Sequence, residues 1–407
     1  MGDKAVVYIG DFDLRNENVQ AHLVKNNGKI LNQLGYSVYF VGTNRNCFSF
    51  DDVKQLQPLD ISIGDYLQLP HTLTPRGILQ LGAVENTIIS YLKKIKTNKE
   101  IEYIITYQAP TYARVLKTIA LWAKSEKIAY IVNCADLPVF DSQPFIKRMV
   151  MNLNWKNLHA INKKYADGVI SVSNYIAEFY KKEGRPSVII PPLFDEPDLL
   201  GLTPGENDVA VFLYAGTPFI SSTHEINTKG MKDRLDKVID IMLEVEKRGS
   251  SFRFDIVGIT KEEYCTCVPR HAKDLSKSNN IFFYGKQSHE YTLRKLISAD
   301  FMINFRDKNL MTEAGMSTKV VESVSVGTPV VMNEIGDTFM YLTEGISGIK
   351  LVGDIQADVN TIAALCLSSK EQRAKNKQTA KASKTFSIET YLPVMSKFLC
   401  SVAKSIQ

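Results

Sequence analysis

The sequence lacks the features of a membrane-spanning, disulfide-linked or nucleic-acid-binding protein. No apolar run approaches the roughly 18 residues that cross a bilayer. Its six cysteines include no Cys-x-x-Cys pair, so a zinc site is not expected. The net charge of +5 does not demand a nucleic-acid partner. Because the opening residues also show no signal-peptide pattern, a reduced, cytoplasmic protein is the simplest expectation.

Strand-like apolar runs alternate with helix-like segments along the first half of the chain. The runs span 5–10, 36–42, 101–107, 128–136 and 167–173. Continuous apolar strands separated by helical segments are typical of a parallel sheet that is covered by helices on both faces. The first half is therefore predicted to be a doubly wound α/β domain.

A break in this alternation divides the chain. Residues 191–208 contain four prolines, two glycines and five acidic residues, a composition that indicates an inter-domain linker. Beyond it the alternation restarts, with runs at 209–216, 252–258, 281–285, 300–306 and 328–333, and with helical segments at 358–380 and 387–405.

We predict two Rossmann-like, doubly wound α/β domains that face each other across a cleft. The first domain spans 1–192 and the second 205–386, and the final helix, 387–407, is expected to pack back on the first. In such sheets ligands bind beyond the carboxyl ends of the strands, so the loops there should line the cleft.

Four passages carry a resemblance to a known family. In chain order they are "YIGDFDLRNENVQAHLVKNNGKILNQLGYSVYFVG", "ADGVISVSNYIAEFYKKEGRPSVIIPPLFD", "FLYAGTP" followed by "TKGMKDRLDKVIDIM", and "GMSTKVVESVSVGTPVV". In this order they resemble the retaining nucleotide-sugar glycosyltransferases of the GT-B fold, in particular family 4 (glycosyl transferases group 1). The last passage is the most specific, because a ribose-binding glutamate, a Gly-x-Pro turn and a strand occur there together.

The resemblance implies an activity of the Leloir type. A metal-independent hexosyltransferase would move a sugar from a UDP- or GDP-sugar co-substrate, with no further cofactor, to a carbohydrate acceptor. The acceptor is expected to be a lipid-linked saccharide in surface polysaccharide or capsule biosynthesis. Two alternatives stay open, namely an epimerase of the same fold and a catalytically silent glycosyltransferase-like subunit that binds a partner enzyme.

The start of the helix near 317 is the predicted donor site. A helix N-terminus presents free amides and a positive dipole end to a diphosphate. Ser317 is the expected N-cap, and Glu322, one turn along, would accept hydrogen bonds from the ribose hydroxyls. The backbone expected around the donor comprises Gly315, Met316, Ser317, Thr318 and Lys319.

Glu313 departs from the family pattern. The family separates its two glutamates by seven residues, whereas eight separate Glu313 from Glu322, and the expected position holds Ala314. Either the loop shifts by one residue so that Glu313 contacts the donor sugar, or the backbone of 314–316 makes that contact. This displaced glutamate keeps the silent-subunit alternative open.

Cations should flank the diphosphate, because the leaving group gains negative charge as the glycosidic bond breaks. The resemblance points to Lys229 as a catalytic cation, and Gly216 and Thr217 at a strand end would let phosphate approach closely. Arg306, which follows another strand, is the candidate for a second cation. Lys232 and Lys319 are alternatives.

The predicted acceptor side lies in the first domain. Gly10, Asp11 and Phe12 follow its first strand, and Asp136 closes the strand-like run 128–136. Asp136 would orient the sugar or the acceptor, or else it would cap the helix that follows.

Residues 145–164 contain five basic residues and no acidic residue, interleaved with large apolar residues that include Phe145, Met149, Met151, Trp155, Leu158 and Ile161. Such a stretch is typical of an amphipathic helix that rests on an anionic membrane, at the inner face of the cell membrane in this case. It is equally typical of a packed helix with a solvated basic face, and the sequence leaves both interpretations open.

Overall fold

The computed structural model describes residues 4–16, 18–57, 59, 61–71, 75–107, 113–137, 140, 144–195, 207–218 and 233–406. The chain divides into two compact units. The first comprises Met1–Asp195 with Ser387–Gln407, and the second comprises Glu196–Phe386. No helix in the described part of the chain is long and apolar enough to cross a membrane.

The first unit is built on a seven-stranded sheet in which all paired strands are parallel, in the order β3-β2-β1-β4-β5-β6-β7. Its strands are β1 (Lys4–Gly10), β2 (Ser37–Asn44), β3 (Asp65–Pro70), β4 (Glu100–Tyr107), β5 (Ala129–Cys134), β6 (Gly168–Ser171) and β7 (Ser187–Ile189). Its helices up to the linker are α1 (Val19–Gln33), α2 (Phe50–Lys54), α3 (Pro75–Ile78), α4 (Leu81–Asn98), α5 (Ala113–Ser125), α6 (Phe145–Tyr165) and α7 (Asn174–Phe179).

The second unit has a six-stranded sheet of parallel pairs in the order β10-β9-β8-β11-β12-β13. The strands are β8 (Ala210–Ala215), β9 (Phe252–Val257), β10 (Ile281–Phe283), β11 (Phe301–Ile303), β12 (Val330–Asn333) and β13 (Gly348–Leu351). The helices are α8 (Leu235–Lys247), α9 (Lys261–Cys267), α10 (Ala272–Leu275), α11 (His289–Ser298), α12 (Leu310–Ala314), α13 (Thr318–Ser325), α14 (Ile355–Cys366) and α15 (Lys370–Ala382), and 3₁₀ turns lie at Pro269–His271 and Thr338–Tyr341.

Burial explains why the strands read as continuous apolar runs. In β5 every residue is buried, and in β1 only the first residue is exposed. Helices on both faces exclude water from these central strands, so neither face requires polar side chains. In the second unit, α8 packs its apolar side into a core with β8, β9 and β11.

The last helix, α16 (Ile388–Ile406), belongs to the first unit although the whole second unit precedes it. The Tyr103 hydroxyl donates a hydrogen bond to the carbonyl oxygen of Leu399, at 3.0 Å. Gly168 lies directly under Val402 and Phe398, where a Cβ would approach Val402 to 2.6 Å. These contacts anchor the end of the chain on the sheet where it began.

The predicted helix 358–380 is wrong as a single element. The structure has two helices, α14 and α15, with a break at 367–369. The Ser369 side chain accepts a hydrogen bond from the Gln372 amide and begins the second helix. Serine at this position competes for backbone donors, which favours a helix start over continuation of the preceding one.

Candidate functional site

The candidate site of the second unit lies where β8, β9 and β11 end. Gly216 follows β8, and its amide donates to the carbonyl of Val257, at the end of β9, at 2.8 Å. Arg306 lies three residues beyond β11 and is buried. Because these strands are parallel neighbours, their ends bring residues from distant parts of the chain to one edge of the sheet.

Asp233 lies at the centre of this edge and is buried. Its Oδ1 accepts from Arg306 Nε at 2.8 Å, and its Oδ2 forms an ion pair with Lys319 Nζ. The Tyr214 hydroxyl and the Asn304 amide also donate to the carboxylate, at 3.2 and 3.3 Å. Burial alone would raise the pKa of Asp233, but the charges of Lys319 and Arg306 outweigh it and hold this pKa well below its usual range.

The two cations held by one carboxylate leave a net positive charge at the strand ends. Arg306 comes from the end of β11 and Lys319 from the first turn of α13. Gly216 allows the second cation to lie there, because a Cβ on this residue would be 2.1 Å from Lys319 Nζ. The arrangement fixes Lys319 between Asp233 and the backbone of Gly216, so the cluster is suited to an anionic ligand.

The start of α13 holds polar atoms that have no partner in the described structure. Ser317 occupies the N-cap position, yet its side chain makes no capping hydrogen bond and its buried Oγ has no partner. Glu313 Oε1 is also buried without a partner. Buried polar atoms are almost always hydrogen-bonded, and an exception needs an explanation such as an unseen ligand. Both atoms adjoin the helix start, where the positive end of the helix dipole favours an anion.

Glu313 is on a short helix rather than in a loop. Asn309 begins α12 through reciprocal hydrogen bonds with Thr312, and the helix ends at Ala314. Ala314 is fully buried, whereas Glu313 is half-buried. The amide of Gly315 donates to the Met311 carbonyl at 3.2 Å, which occupies one of the backbone groups considered as a replacement. The one-residue displacement thus keeps a carboxylate beside the start of α13, and its contact with the donor stays a prediction.

Glu322 is half-buried on the second turn of α13, so it is not a solvated surface carboxylate. Burial raises the pKa of Glu322, while the nearby charges of His289 and Lys319 act in the opposite direction. His289 begins α11, which places that helix beside the same edge. A carboxylate kept partly dry in this way is suited to accept hydrogen bonds from ligand hydroxyls.

The remaining predicted donor residues have mixed outcomes. Thr217 is exposed immediately after Gly216, and Thr318 and Met316 are half-buried around Ser317. Lys229 and Lys232 lie outside the described residues.

The structure brings Gly216, Lys319 and Arg306 together. Sequence analysis missed Asp233, the acid that holds both cations. Asp233 stands within the quoted passage "TKGMKDRL", but no local pattern marks an acid for burial.

In the first unit, Gly10 and Asp11 lie at the carboxyl end of β1. A Cβ on Gly10 would be 2.1 Å from the Tyr107 carbonyl oxygen, so only glycine fits beside β4. Asp11 pairs with Arg45 at 2.6 Å. Phe12 is 1% exposed and its ring packs in the aromatic core, so this side chain serves the core rather than the surface of the loop.

Asp136 lies half-buried just beyond β5. It does not cap α6, because the residue at that N-cap position is Pro144. Its carbonyl oxygen accepts from Cys134 Sγ at 3.4 Å. The orienting role predicted for its carboxylate stays open.

Polar side chains in and directly after β3 escaped sequence analysis. Gln68 is buried, and its Nε2 has no hydrogen-bond partner in the described structure, nor does His71 Nδ1. Burial lowers the pKa of His71, with the nearby Asp11 raising it and Arg45 lowering it. Because β3 lies at a sheet edge and was not predicted as a strand, nothing in the sequence placed His71 beside Asp11.

Asp11 and Asp13 form an Asp-x-Asp sequence, a pattern of metal-dependent sugar transferases that sequence analysis overlooked. Asp11 pairs with Arg45, and Asp13 accepts a hydrogen bond from the Arg15 amide at 3.0 Å. Among the residues with described positions, no group of three or more acidic, histidine or cysteine side chains could hold a metal ion. Metal independence stays a prediction.

Two parallel, doubly wound sheets, with a cation-lined helix start at the strand ends of the second, define an α/β protein of the GT-B fold. Residues 216–368 match the family model of glycosyl transferases group 1. This segment contains Asp233, Arg306, Lys319 and Glu322. The resemblance to glycosyl transferases group 1 is thus confirmed over the segment that builds the candidate site, and the retaining mechanism stays a prediction.

Solved structures of glycosyltransferases share the fold of the whole chain. HepE of Anabaena in complex with UDP has a TM-score of 0.61 and 13% identity, over 98% of this chain and 100% of that one. Sucrose-phosphate synthase from Thermosynechococcus elongatus has a TM-score of 0.63 and 14% identity, over 97% and 98%. The pneumococcal O-GlcNAc transferase GtfA in complex with UDP and GlcNAc has a TM-score of 0.62 and 12% identity, over 98% and 99%. No curated protein matches the sequence significantly.

Proposed function

We propose that the protein is a retaining, Leloir-type glycosyltransferase that moves a hexose-type sugar from a nucleotide-diphosphate sugar to a saccharide acceptor. The observation that carries the proposal is the pair of cations, Arg306 and Lys319, that Asp233 holds beside the start of α13. A diphosphate matches this arrangement in charge and in its need for backbone donors.

The chemistry follows from the leaving group. As the bond between the sugar and the diphosphate breaks, negative charge grows on the phosphate oxygens. Lys319 and Arg306, already desolvated and held in place, would stabilise that charge without reorganisation. In this proposal the cationic side chains take the place of a metal ion, and Lys229 adds a third positive charge beside the diphosphate.

The donor's other parts would meet the remaining predicted residues. Glu322 would accept hydrogen bonds from the ribose hydroxyls, and Glu313 would contact the sugar. Ser317 Oγ, buried and without a partner in the described structure, would bond to the phosphate. UDP is the first nucleotide to test, because the HepE and GtfA structures are both complexes with UDP.

In a retaining reaction without a protein nucleophile, the donor phosphate would take the acceptor proton on the front face of the sugar. Asp136 of the first unit would then orient the acceptor or the sugar instead of serving as a strong base. We propose a lipid-linked saccharide as acceptor and surface polysaccharide biosynthesis at the inner face of the membrane as the setting. A structural relative, WaaB, is named a lipopolysaccharide outer core galactosyltransferase, in keeping with that setting.

Calorimetric titration with UDP, GDP and ADP tests the proposal. We expect one nucleotide to bind, and Glu322→Ala and Lys319→Ala to weaken it by roughly tenfold to 150-fold, the equivalent of a hydrogen bond to a charged group at about 1.5–3 kcal/mol. Lys273→Ala, an exposed lysine on α10, is the matched control and should leave affinity unchanged.

The outcome separates the rival functions. If no nucleotide binds to folded protein, the transferase proposal fails and a silent partner subunit becomes the better hypothesis. If one binds, incubation with the corresponding donor sugars and analysis of the product's anomeric configuration by NMR would test retention.

A further inference from the structure

The first half of α6 exposes a row of large apolar side chains. Five of them, exposed by between 49% and 72%, form what we call the α6 apolar face, namely Phe145, Ile146, Met149, Val150 and Leu153. Contiguous apolar exposure of this kind marks an interaction surface, whereas scattered apolar residues need no explanation.

Helical geometry shows that this face points away from the unit. At about 100° of rotation per residue, the five side chains fall within an arc of about 140°. The residues through which α6 packs lie on the opposite side, and they are the buried or half-buried Met151, Trp155, Leu158 and Asn162. The helix is therefore apolar on two opposite sides, and the protein core accounts for only one of them.

The charges around the α6 apolar face are all positive. On the same helical projection, Lys147 and Arg148 flank the face at about 60° beyond either edge. Lys156 continues the row one turn after Leu153. The sequence has no acidic residue from 142 to 166, so α6 itself contributes only cations to the apolar face and its border.

This face starts at the edge of the sheet where ligands bind in doubly wound folds. Helix α6 follows the carboxyl end of β5, just beyond Asp136. Helices α4, α5 and α6 lie side by side, and α4 is preceded at the same edge by the exposed Ile78 and Leu79. Apolar exposure thus concentrates beside the predicted acceptor side.

We propose that the α6 apolar face docks on an anionic lipid bilayer. Apolar side chains would enter the boundary of the acyl chains, and the flanking cations would meet lipid phosphates, a pattern typical of helices that lie in the membrane interface. A second copy of this chain fits less well, because a twofold interface would bring Lys147 and Arg148 of both copies together. The proposal rests on the proposed function only in that docking would bring the enzyme to a lipid-linked acceptor.

Vesicle flotation of the full chain tests the proposal, with phosphatidylglycerol-containing and pure phosphatidylcholine vesicles. We expect flotation with the anionic vesicles and its loss as salt increases. Ile146→Asp with Leu153→Asp should abolish it. Lys147→Gln with Arg148→Gln should weaken partitioning by about 25-fold, since a basic residue near an anionic surface contributes about fivefold.

Matched controls lie in the second unit. Leu367→Asp with Met340→Asp changes side chains that are 85% and 70% exposed, and Lys273→Gln with Lys277→Gln removes two exposed lysines of that unit. Both control pairs should float like the unaltered protein. The proposal is overturned if the unaltered protein does not float with anionic vesicles at low salt, or if the control variants lose as much flotation as the α6 variants.

Two further measurements separate the explanations. Light scattering would show whether the α6 variants change the oligomeric state, and a loss of dimer without a change in flotation would assign the face to a second copy. Titration with UDP on the same variants should be unaffected. Flotation without nucleotide binding would sink the transferase proposal alone, and nucleotide binding without flotation would sink the membrane proposal alone.

Discussion

Replacing Gly216 by alanine should displace the cation of Lys319 from the candidate donor site. The new Cβ would lie 2.1 Å from Lys319 Nζ and 2.6 Å from its Cε, distances at which the ammonium must move. Because Asp233 holds that ammonium by a part-buried ion pair, the movement breaks this contact rather than shifting a free side chain. We therefore expect a loss in both stability and nucleotide affinity.

The expected magnitude has two parts. Gly216 has φ +144°, and alanine at such a backbone conformation costs about 1–3 kcal/mol in the free energy of unfolding. The loss of a charge-assisted contact to the diphosphate would reduce affinity for UDP by roughly tenfold to 150-fold, at about 1.5–3 kcal/mol. Urea denaturation and calorimetric titration measure the two parts separately.

Gly249→Ala is the matched control. Gly249 also has positive φ, at +80°, but a Cβ there would meet no atom within 4 Å. Gly249→Ala should therefore lower the free energy of unfolding through the same kind of backbone strain but leave affinity for UDP unchanged. In a Lys319→Ala background, Gly216→Ala should add little further loss of affinity, since no ammonium remains to be displaced. Unchanged nucleotide affinity in Gly216→Ala would refute the reasoning, as would additive losses in the double variant.

Two further predictions concern α13. Ser317→Ala should leave the urea midpoint nearly unchanged, because its Oγ has no partner among the described atoms, but it should weaken UDP binding. Ser323→Ala, the control, loses a 2.7 Å hydrogen bond to the Thr328 carbonyl. It should lower the free energy of unfolding by about 1 kcal/mol and leave UDP affinity unchanged. Burial raises the pKa of Glu322, so in the free protein its charged form is disfavoured and stability is lost as pH rises through that pKa. Glu322→Gln should thus be more stable than the unaltered protein near pH 7 in thermal melts, with the gain shrinking toward the ordinary carboxyl pKa, while its nucleotide affinity falls. Equal pH profiles, or unchanged affinity in Ser317→Ala, would count against these roles.

The central strands were predicted correctly because burial on both faces of the sheet restricts their sequences to apolar residues. The run predicted at 5–10 became β1 (Lys4–Gly10), and that at 101–107 became β4 (Glu100–Tyr107). Both are buried on two faces, so only a continuous apolar run is compatible with them. The edge strand β10 was predicted as the run 281–285, but the edge strands β3, β7 and β13 were not, since edge positions tolerate polar residues and depend on a neighbour for their pairing.

The site was only partly predictable for a related reason. Helix starts and strand ends leave local signals, so the sequence indicated Ser317, Glu322, Gly216 and Arg306. The same logic treated Glu313 as part of a loop, because the five-residue helix α12 is too short for a periodic pattern. Asp233 gave no signal at all, since the charges that make its burial tolerable lie 73 and 86 residues further along the chain.

The sequence by itself determined the α/β alternation, the two-unit division of the chain and the resemblance that the family model bears out over residues 216–368, because these depend on local patterns of burial, turns and helix starts. Only the tertiary structure decided that one buried acid holds two cations beside Gly216, and that α6 packs through one apolar side while exposing another. Those facts depend on which distant residues come into contact, and the local sequence around a carboxylate or an apolar side chain does not indicate its tertiary neighbours.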